Sequence, residues 1–212
     1  MKLDYHTQIY GVTQSGKTFL GLRLLQEQQG IRFFIDTKNE TKYFKYFKYF
    51  APIQEGHTAL TMGVADGIVC LAVDVEKDIK KQLDDFLGEI FKIQRGRPFH
   101  RVTIMIDELQ EYVTSRSMGK FVRACFLQGL SKNIRMIFTC QGWSLIPKNL
   151  RNNCENTIIL KQREGDIKDM MDLGLVPYDL NEYGHKVSKL SFERKYQAYI
   201  EQGIGGEFGV LQ

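Results

Sequence analysis

GVTQSGKT, residues 11–18, stands between a strand-like tetrad TQIY (7–10) and the leucine-rich stretch FLGLRLLQEQQ (19–29). The octapeptide fits G-x-x-x-x-G-K-[ST] in its required context of strand, turn and helix. Gly11 and Gly16 let the backbone wrap closely around oxyanions, turning N–H groups and a helix start toward negative charge. On this reading Gly11, Val12, Thr13, Gln14, Ser15, Gly16, Lys17, Thr18 and Phe19 cradle a nucleotide. Lys17 reaches the β- and γ-phosphates, and the Thr18 hydroxyl binds the Mg²⁺ that bridges them.

Outward from this loop, short apolar runs alternate with amphipathic ones, the pattern of a mostly parallel sheet covered by helices on both faces. Strands are expected at 7–10, 31–35, 68–73, 102–106, 134–139 and 157–160, with a last one at 196–200 before a flexible glycine-rich tail, GIGGEFG. Helices are expected at 17–29, 76–94 and 118–130. The first buries Phe19, Leu20, Leu22, Leu24 and Leu25 and is stopped by Gly30 as a C-cap. Asp36 and Asp74 close two of the strands, where ligands of such sheets bind. No linker interrupts the pattern, so the 212 residues read as one α/β domain, with a core at about 7–161 and a C-terminal elaboration at 162–212.

Composition excludes several classes. A net charge of +4 is too small to argue by itself for nucleic acid. The cysteines at 70, 125, 140 and 154 form no CxxC pair, which speaks against zinc or a disulfide framework and for reduced thiols in a cytoplasmic setting. No apolar run reaches the ~18 residues of a membrane helix. The four histidines are scattered and carry no assigned role. Residues 42–50 repeat Lys-Tyr-Phe three times, a period that fits neither helix nor strand. Two readings stand: an insertion helix or turn that packs its rings on the sheet edge while the lysines reach water, or a surface where rings stack on bases and lysines meet phosphates.

A second strand carries acids. RVTIMIDE (101–108) ends in Asp107, placed to hold Mg²⁺, and Glu108, placed to orient and deprotonate an attacking water. A kinase has no use for such a base, so hydrolysis is favoured. No Asn-Lys dipeptide is present to read guanine, so ATP is the expected nucleotide. IFTCQ (137–141) puts Gln141 at the end of the neighbouring strand as a sensor of γ-phosphate and water.

Together GVTQSGKT, FFIDTK (33–38), TIMIDE, NIRMIFTCQGWSLIPKNLRNN (133–153) and TIIL (157–160) resemble the HerA/FtsK superfamily of DNA-pumping ATPases, over about 8–160. The resemblance implies a P-loop NTPase of RecA/FtsK-like, three-layer form, and a ring, usually of six, threading double-stranded DNA without sequence preference. It also implies the sensor role of Gln141 and the metal and catalytic roles of Asp107 and Glu108. The compact length is most similar to viral genome-packaging ATPases, which work with a capsid vertex or a membrane-protein partner. Many members place an arginine finger just before the sensor strand, where this chain has Leu130. Arg123, two helical turns earlier on the same face, Lys132 and Arg135 are the substitutes considered. Residues 143–153, with Lys148 and Arg151, read either as a loop reaching DNA phosphates or as a short helix pinned by Leu145, Ile146 and Leu150. Trp143 reads as a packing residue. Two other functions compete: a membrane-associated virion-extrusion ATPase of filamentous-phage type, and a nucleotide-dependent scaffold.

Overall fold

The computed structural model describes residues 4–38, 45–61, 67–96, 101–114, 117–172, 176, 178–183, 185–188, 198–202 and 209–211. Among them the chain runs β1 (Thr7–Tyr10), α1 (Lys17–Gln26), β2 (Ile31–Asp36), β3 (Tyr49–Pro52), α2 (Gly56–Thr61), β4 (Ile68–Ala72), α3 (Ile79–Gly96) and β5 (Val102–Ile106). There follow α4 (Lys120–Gln128), β6 (Ile134–Cys140), α5 (Lys148–Arg151), β7 (Asn156–Ile159), α6 (Glu164–Asp172), β8 (Tyr178–Leu180), β9 (Lys186–Ser188), β10 (Ala198–Gln202) and β11 (Gly209–Leu211). The main sheet has the order β11-β10-β7-β1-β6-β5-β2-β4-β3, and β8 pairs with β9 apart from it. From β7 to β3 every pairing is parallel, while β10 and β11 add on antiparallel beyond β7.

The strands are apolar because both faces are covered. In β5 all five residues are buried, and the pleat sends alternate side chains to opposite layers. Phe33, Ile35, Ile104, Ile106 and Phe138 pack toward Leu83, Leu87, Val122 and Phe126 of α3 and α4. Ile9, Phe34, Met105 and Ile137 pack toward Leu22 and Leu25 of α1. This is the three-layer α/β sandwich expected from the sequence. At one helix junction the cap comes from another element: Asp84 of α3 accepts the N–H groups of Phe121 (2.7 Å) and Val122 (3.0 Å) at the start of α4, where Gly119 offers no side chain of its own.

Several boundaries differ from expectation. α1 stops at Gln26, three residues before 29. Gly30, at φ 84°, turns the chain into β2 and does not cap the helix; instead the Gln28 amide donates to Leu24 O at 2.8 Å and occupies one of the last carbonyls. Phe19 is not on the buried face but 48% exposed, with its ring edge-on to Tyr46 at 6.2 Å. α4 ends at Gln128, and Leu130 sits in the 3-10 turn Leu130–Lys132. Among the described residues of the triplet segment, Lys45 and Tyr46 lie in a 3-10 turn. The last copy enters β3, a parallel edge strand on β4; residues 42–44 lie outside the described residues. The sheet-edge packing does hold, since Phe47 is buried and stacked on Phe34 at 5.1 Å. Burying such a ring is worth roughly 2 kcal/mol, which explains why the phenylalanine of the middle copy turns inward. Of the tail expected to be flexible, GIGGEFG, residues 203–208 lie outside the described residues, and Gly209 opens the short strand β11 (Gly209–Leu211).

Candidate nucleotide-hydrolysis site

The parallel order brings the carboxyl ends of β1, β6 and β5 side by side. The turn after β1 is pinned at both flanks: Gly11 N–H donates to Cys140 O (3.1 Å) and Val12 N–H to Lys161 O (2.8 Å). Gln14 (φ 64°) and Gly16 (φ 94°) are left-handed, so the backbone doubles back before α1 begins at Lys17. No side chain caps α1, whose first-turn N–H groups lack intrahelical acceptors and face the loop's concavity. Val12 is half-buried, Thr13 and Gln14 are exposed, and Ser15 is buried beneath Gly11, where a Cβ would collide with its hydroxyl. The loop thus meets the requirements of an oxyanion cradle.

Lys17 is buried, its Nζ donating to Val12 O at 3.0 Å. Burial lowers its pKa, and the neighbouring Asp107 and Glu108 carboxylates oppose that shift. The Thr18 hydroxyl lies 3.0 and 3.2 Å from the two Asp107 oxygens. Asp107 is itself buried, and desolvation raises its pKa despite the hydroxyls that favour its charged form. A hard divalent cation fits this pair. Thr18 and Asp107 offer oxygen donors, a carboxylate short of counter-charge would be relieved by it, and Mg²⁺ takes its remaining ligands from phosphate and water. Among the described residues no cluster of three His, Cys, Asp or Glu forms an all-protein metal cage.

Glu108 stands in the left-handed region at φ 53°, a strained position for a non-glycine residue. What holds it is the Thr139 hydroxyl, which accepts Glu108 N–H at 2.9 Å and donates to Asp107 Oδ1 at 2.6 Å. The two acids are therefore locked to β6 by a single side chain. Glu108 Oε1 then receives Gln141 Nε2 at 3.1 Å and Lys38 Nζ at 2.6 Å. Lys17, Thr18, Asp107, Glu108 and Gln141, far apart in the chain, thus converge as the sequence pattern anticipated.

Sequence reasoning gave no role to Lys38 or Thr139, although both lie in the quoted FFIDTK and IFTCQ runs. A polar residue inside an otherwise apolar strand was the available signal for Thr139, which is fully buried. Asp36 ends β2 as expected, but its carboxylate accepts Lys38 N–H at 2.9 Å and so shapes the turn that presents Lys38. Asp74 does not join the site; it pairs with Lys77 at 2.8 Å in a surface turn.

The finger candidates fare unequally. The same-face argument for Arg123 requires a continuous helix to Leu130, and α4 ends before it; Arg123 is exposed on that helix. Lys132 lies over the Phe91 ring at 6.0 Å, and Arg135 donates to Leu130 O and Ile134 O, both at 3.3 Å. Lys132 and Arg135 sit at the amino end of β6, opposite Gln141. After Gln141, Trp143 packs as expected, buried against Tyr10 at 5.0 Å. Ile146 and Leu150 pin the short α5, but Leu145 is 49% exposed and pins nothing, because the 3-10 turn Trp143–Leu145 aims it outward.

No protein-family model and no curated protein sequence matches the chain. Its fold is shared with solved structures. The genome-packaging NTPase B204 of Sulfolobus turreted icosahedral virus 2, in complex with AMPPCP, superposes with a TM-score of 0.69 at 12% identity, covering 99% of this chain and 97% of that one. EssC (ATPases 2 and 3) of Geobacillus thermodenitrificans superposes with a TM-score of 0.55 at 15% identity, covering 94% of this chain and 38% of that one. EccC (ATPases 2 and 3) of Thermomonospora curvata, in complex with a signal sequence peptide, gives 0.51 at 13% identity with the same coverages, 94% and 38%. The chain thus shares the fold of these proteins, at nearly the full length of the viral one.

Proposed function

We propose that this protein is a Mg²⁺-dependent ATPase that drives double-stranded DNA through a ring of its own copies, acting in genome packaging in a host cytoplasm. The observation that carries the reading is the chain of contacts from Thr18 through Asp107 and Thr139 to Glu108, with Gln141 on the same glutamate oxygen. It sets a metal-binding carboxylate and a base side by side at the mouth of a phosphate cradle. Bound Mg²⁺ would neutralise charge on the β- and γ-phosphates from the Thr18 and Asp107 side. Lys17, released from Val12 O, pairs with the phosphates and gains the counter-charge its buried ammonium needs. Glu108 accepts a proton from water, and Gln141 and Lys38 orient the carboxylate for that task. The likeness to a viral genome-packaging NTPase over 99% of the chain supports DNA as the cargo and self-association as the working state.

The test is steady-state ATP turnover with and without linear duplex DNA over a protein concentration series. Stimulation by DNA that rises cooperatively with protein concentration is expected. Turnover indifferent to both DNA and concentration would leave nucleotide hydrolysis standing and remove the motor. Duplex affinity should also fall steeply with salt and vary little with sequence.

A further inference from the structure

Beside the hydrolysis site the structure holds an open concavity of about 600 Å³. One wall is the 3-10 turn that follows the acid pair, with Gln110 and Glu111; the other is the segment after the sensor strand, with Ser144, Lys148 and Arg151. Gln141 lies between the walls and belongs to both places: it lines the concavity and donates to Glu108 Oε1 at 3.1 Å. Anything seated there touches the residue that touches the base.

The lining joins an apolar floor, with Val113, Leu145, Ile146 and Pro147, to polar groups among which cations outnumber acids. Lys148 and Arg151 bring two cations, Gln110 and Gln141 two amides, Ser144 and Thr114 two hydroxyls, and Glu111 the one acid. Among the described residues neither cation makes an ion pair. Lys148 is exposed, and the Arg151 guanidinium lies over the Trp143 ring at 4.4 Å, with its Nε and Nη1 buried and without acceptors among the described residues. Burial lowers the Arg151 pKa, which fits a guanidinium short of an anionic partner. Arginine, lysine, hydroxyl and amide donors together are the set that grips phosphodiester oxygens without reading bases. The stack on Trp143, which also touches Tyr10 at the end of β1, fixes the guanidinium on a rigid platform.

We infer that this concavity is where the phosphodiester backbone of DNA docks, so that Gln141 reports occupancy directly to Glu108. The inference rests on the proposed DNA-coupled ATPase and adds to it the place and route of the coupling. Lys148 and Arg151 supply phosphate contacts, and Gln141 acts as a positioning residue shared between track and base.

The deciding experiment measures duplex binding by the full chain against salt concentration, for wild type, Lys148→Gln, Glu111→Lys and, as a control on the surface of α3, Lys92→Gln. Each lost or gained phosphate contact changes the slope of log K against log salt by about one. Lys148→Gln is expected to flatten the slope by about one, Glu111→Lys to steepen it by about one, and Lys92→Gln to leave it alone. In parallel, the ratio of DNA-stimulated to basal turnover at fixed DNA should fall in Lys148→Gln and rise in Glu111→Lys. Duplex binding with wild-type slopes in both groove variants would overturn the inference while leaving a DNA-coupled ATPase in place. Absence of any duplex binding would overturn both. Displacement of DNA by polyglutamate at equal charge concentration would reassign the groove to an acidic peptide and overturn it as well.

Discussion

The two ends of the parallel strands accommodate buried polar groups in different ways. At the carboxyl ends, Lys17, Asp107 and Glu108 are all buried; the two acids are partnered by Thr18, Thr139, Gln141 and Lys38, and Lys17 donates to Val12 O with both carboxylates nearby. Burial drives both Asp107 and Lys17 toward their neutral forms, so the charges chemistry needs are costly until a ligand shares them. At the amino ends, polar groups are held by main chain in some cases and side chains in others, and His6 Nε2 and Arg135 Nε stay buried without a hydrogen-bond partner among the described residues. His6 is fully buried, accepts Met136 N–H at Nδ1 (3.0 Å) and lies 5.5 Å from the Phe126 ring. Arg135 is taken up by two carbonyls, and Arg101 by Asp4 and the Gln28 side chain. The difference teaches that opposite charges are gathered around shared partners at the carboxyl ends, while each polar group at the amino ends is held separately.

The sharpest way to break that contrast is at the carboxyl ends. Lys17→Ala should abolish ATP binding, whereas Glu108→Gln should bind ATP within a few-fold of wild type and lose about 10²–10⁴-fold in turnover. Titration with a non-hydrolysable analogue, paired with single-turnover hydrolysis, separates the two. Equal loss of binding in both variants would erase the division of roles.

A smaller effect is expected at the amino ends, and in stability, not turnover. Burial lowers the His6 pKa from 6.5 to about 4. Between those values the unfolded chain binds the proton that the native one refuses, so native stability rises with pH and is complete above 6.5. As pH falls from 6.5 toward 4, about 3 kcal/mol should be lost through this residue. Urea midpoints at pH 7 and pH 4.5 for wild type and His6→Gln test it. The variant keeps an acceptor but no titrating ring, so its pH dependence should be distinctly shallower; identical dependence in both proteins would refute the assignment.

The smallest effect belongs to neither end. A Cβ at Gly119 would drive into the Asp84 carboxylate that caps α4. Gly119→Ala should therefore cost on the order of 1 kcal/mol, the worth of one helix cap, read as a lowered thermal midpoint. A midpoint equal to wild type would show that the cap across the two helices contributes nothing.

How much of this was legible in the chain varies with the range of the interaction that decides it. The phosphate loop was fully legible, because Gly11, Gly16, Lys17 and Thr18 act through local backbone geometry that eight residues specify by themselves. The strands β1, β2, β4, β5, β6 and β7 were legible too, since burial on both faces leaves an apolar run that few other elements produce. Edges and ends were not. Whether Leu130 continues a helix, whether Tyr49–Pro52 pairs as an edge strand, and whether Phe19 is covered all depend on neighbours distant in sequence.

By itself, then, the sequence determined a strand-loop-helix with the backbone turn of a phosphate loop, two acids at the end of a buried strand, and an α/β fold to hold them. Tertiary structure alone decided that Thr139 locks both acids, that Lys38 reaches Glu108 across 70 residues, and that Arg135 is occupied by its own backbone carbonyls. The physical reason is that a motif records what a short stretch of backbone must do. A hydrogen bond between strands depends instead on the order in which the sheet sets them side by side, and that order follows from the packing of the whole chain.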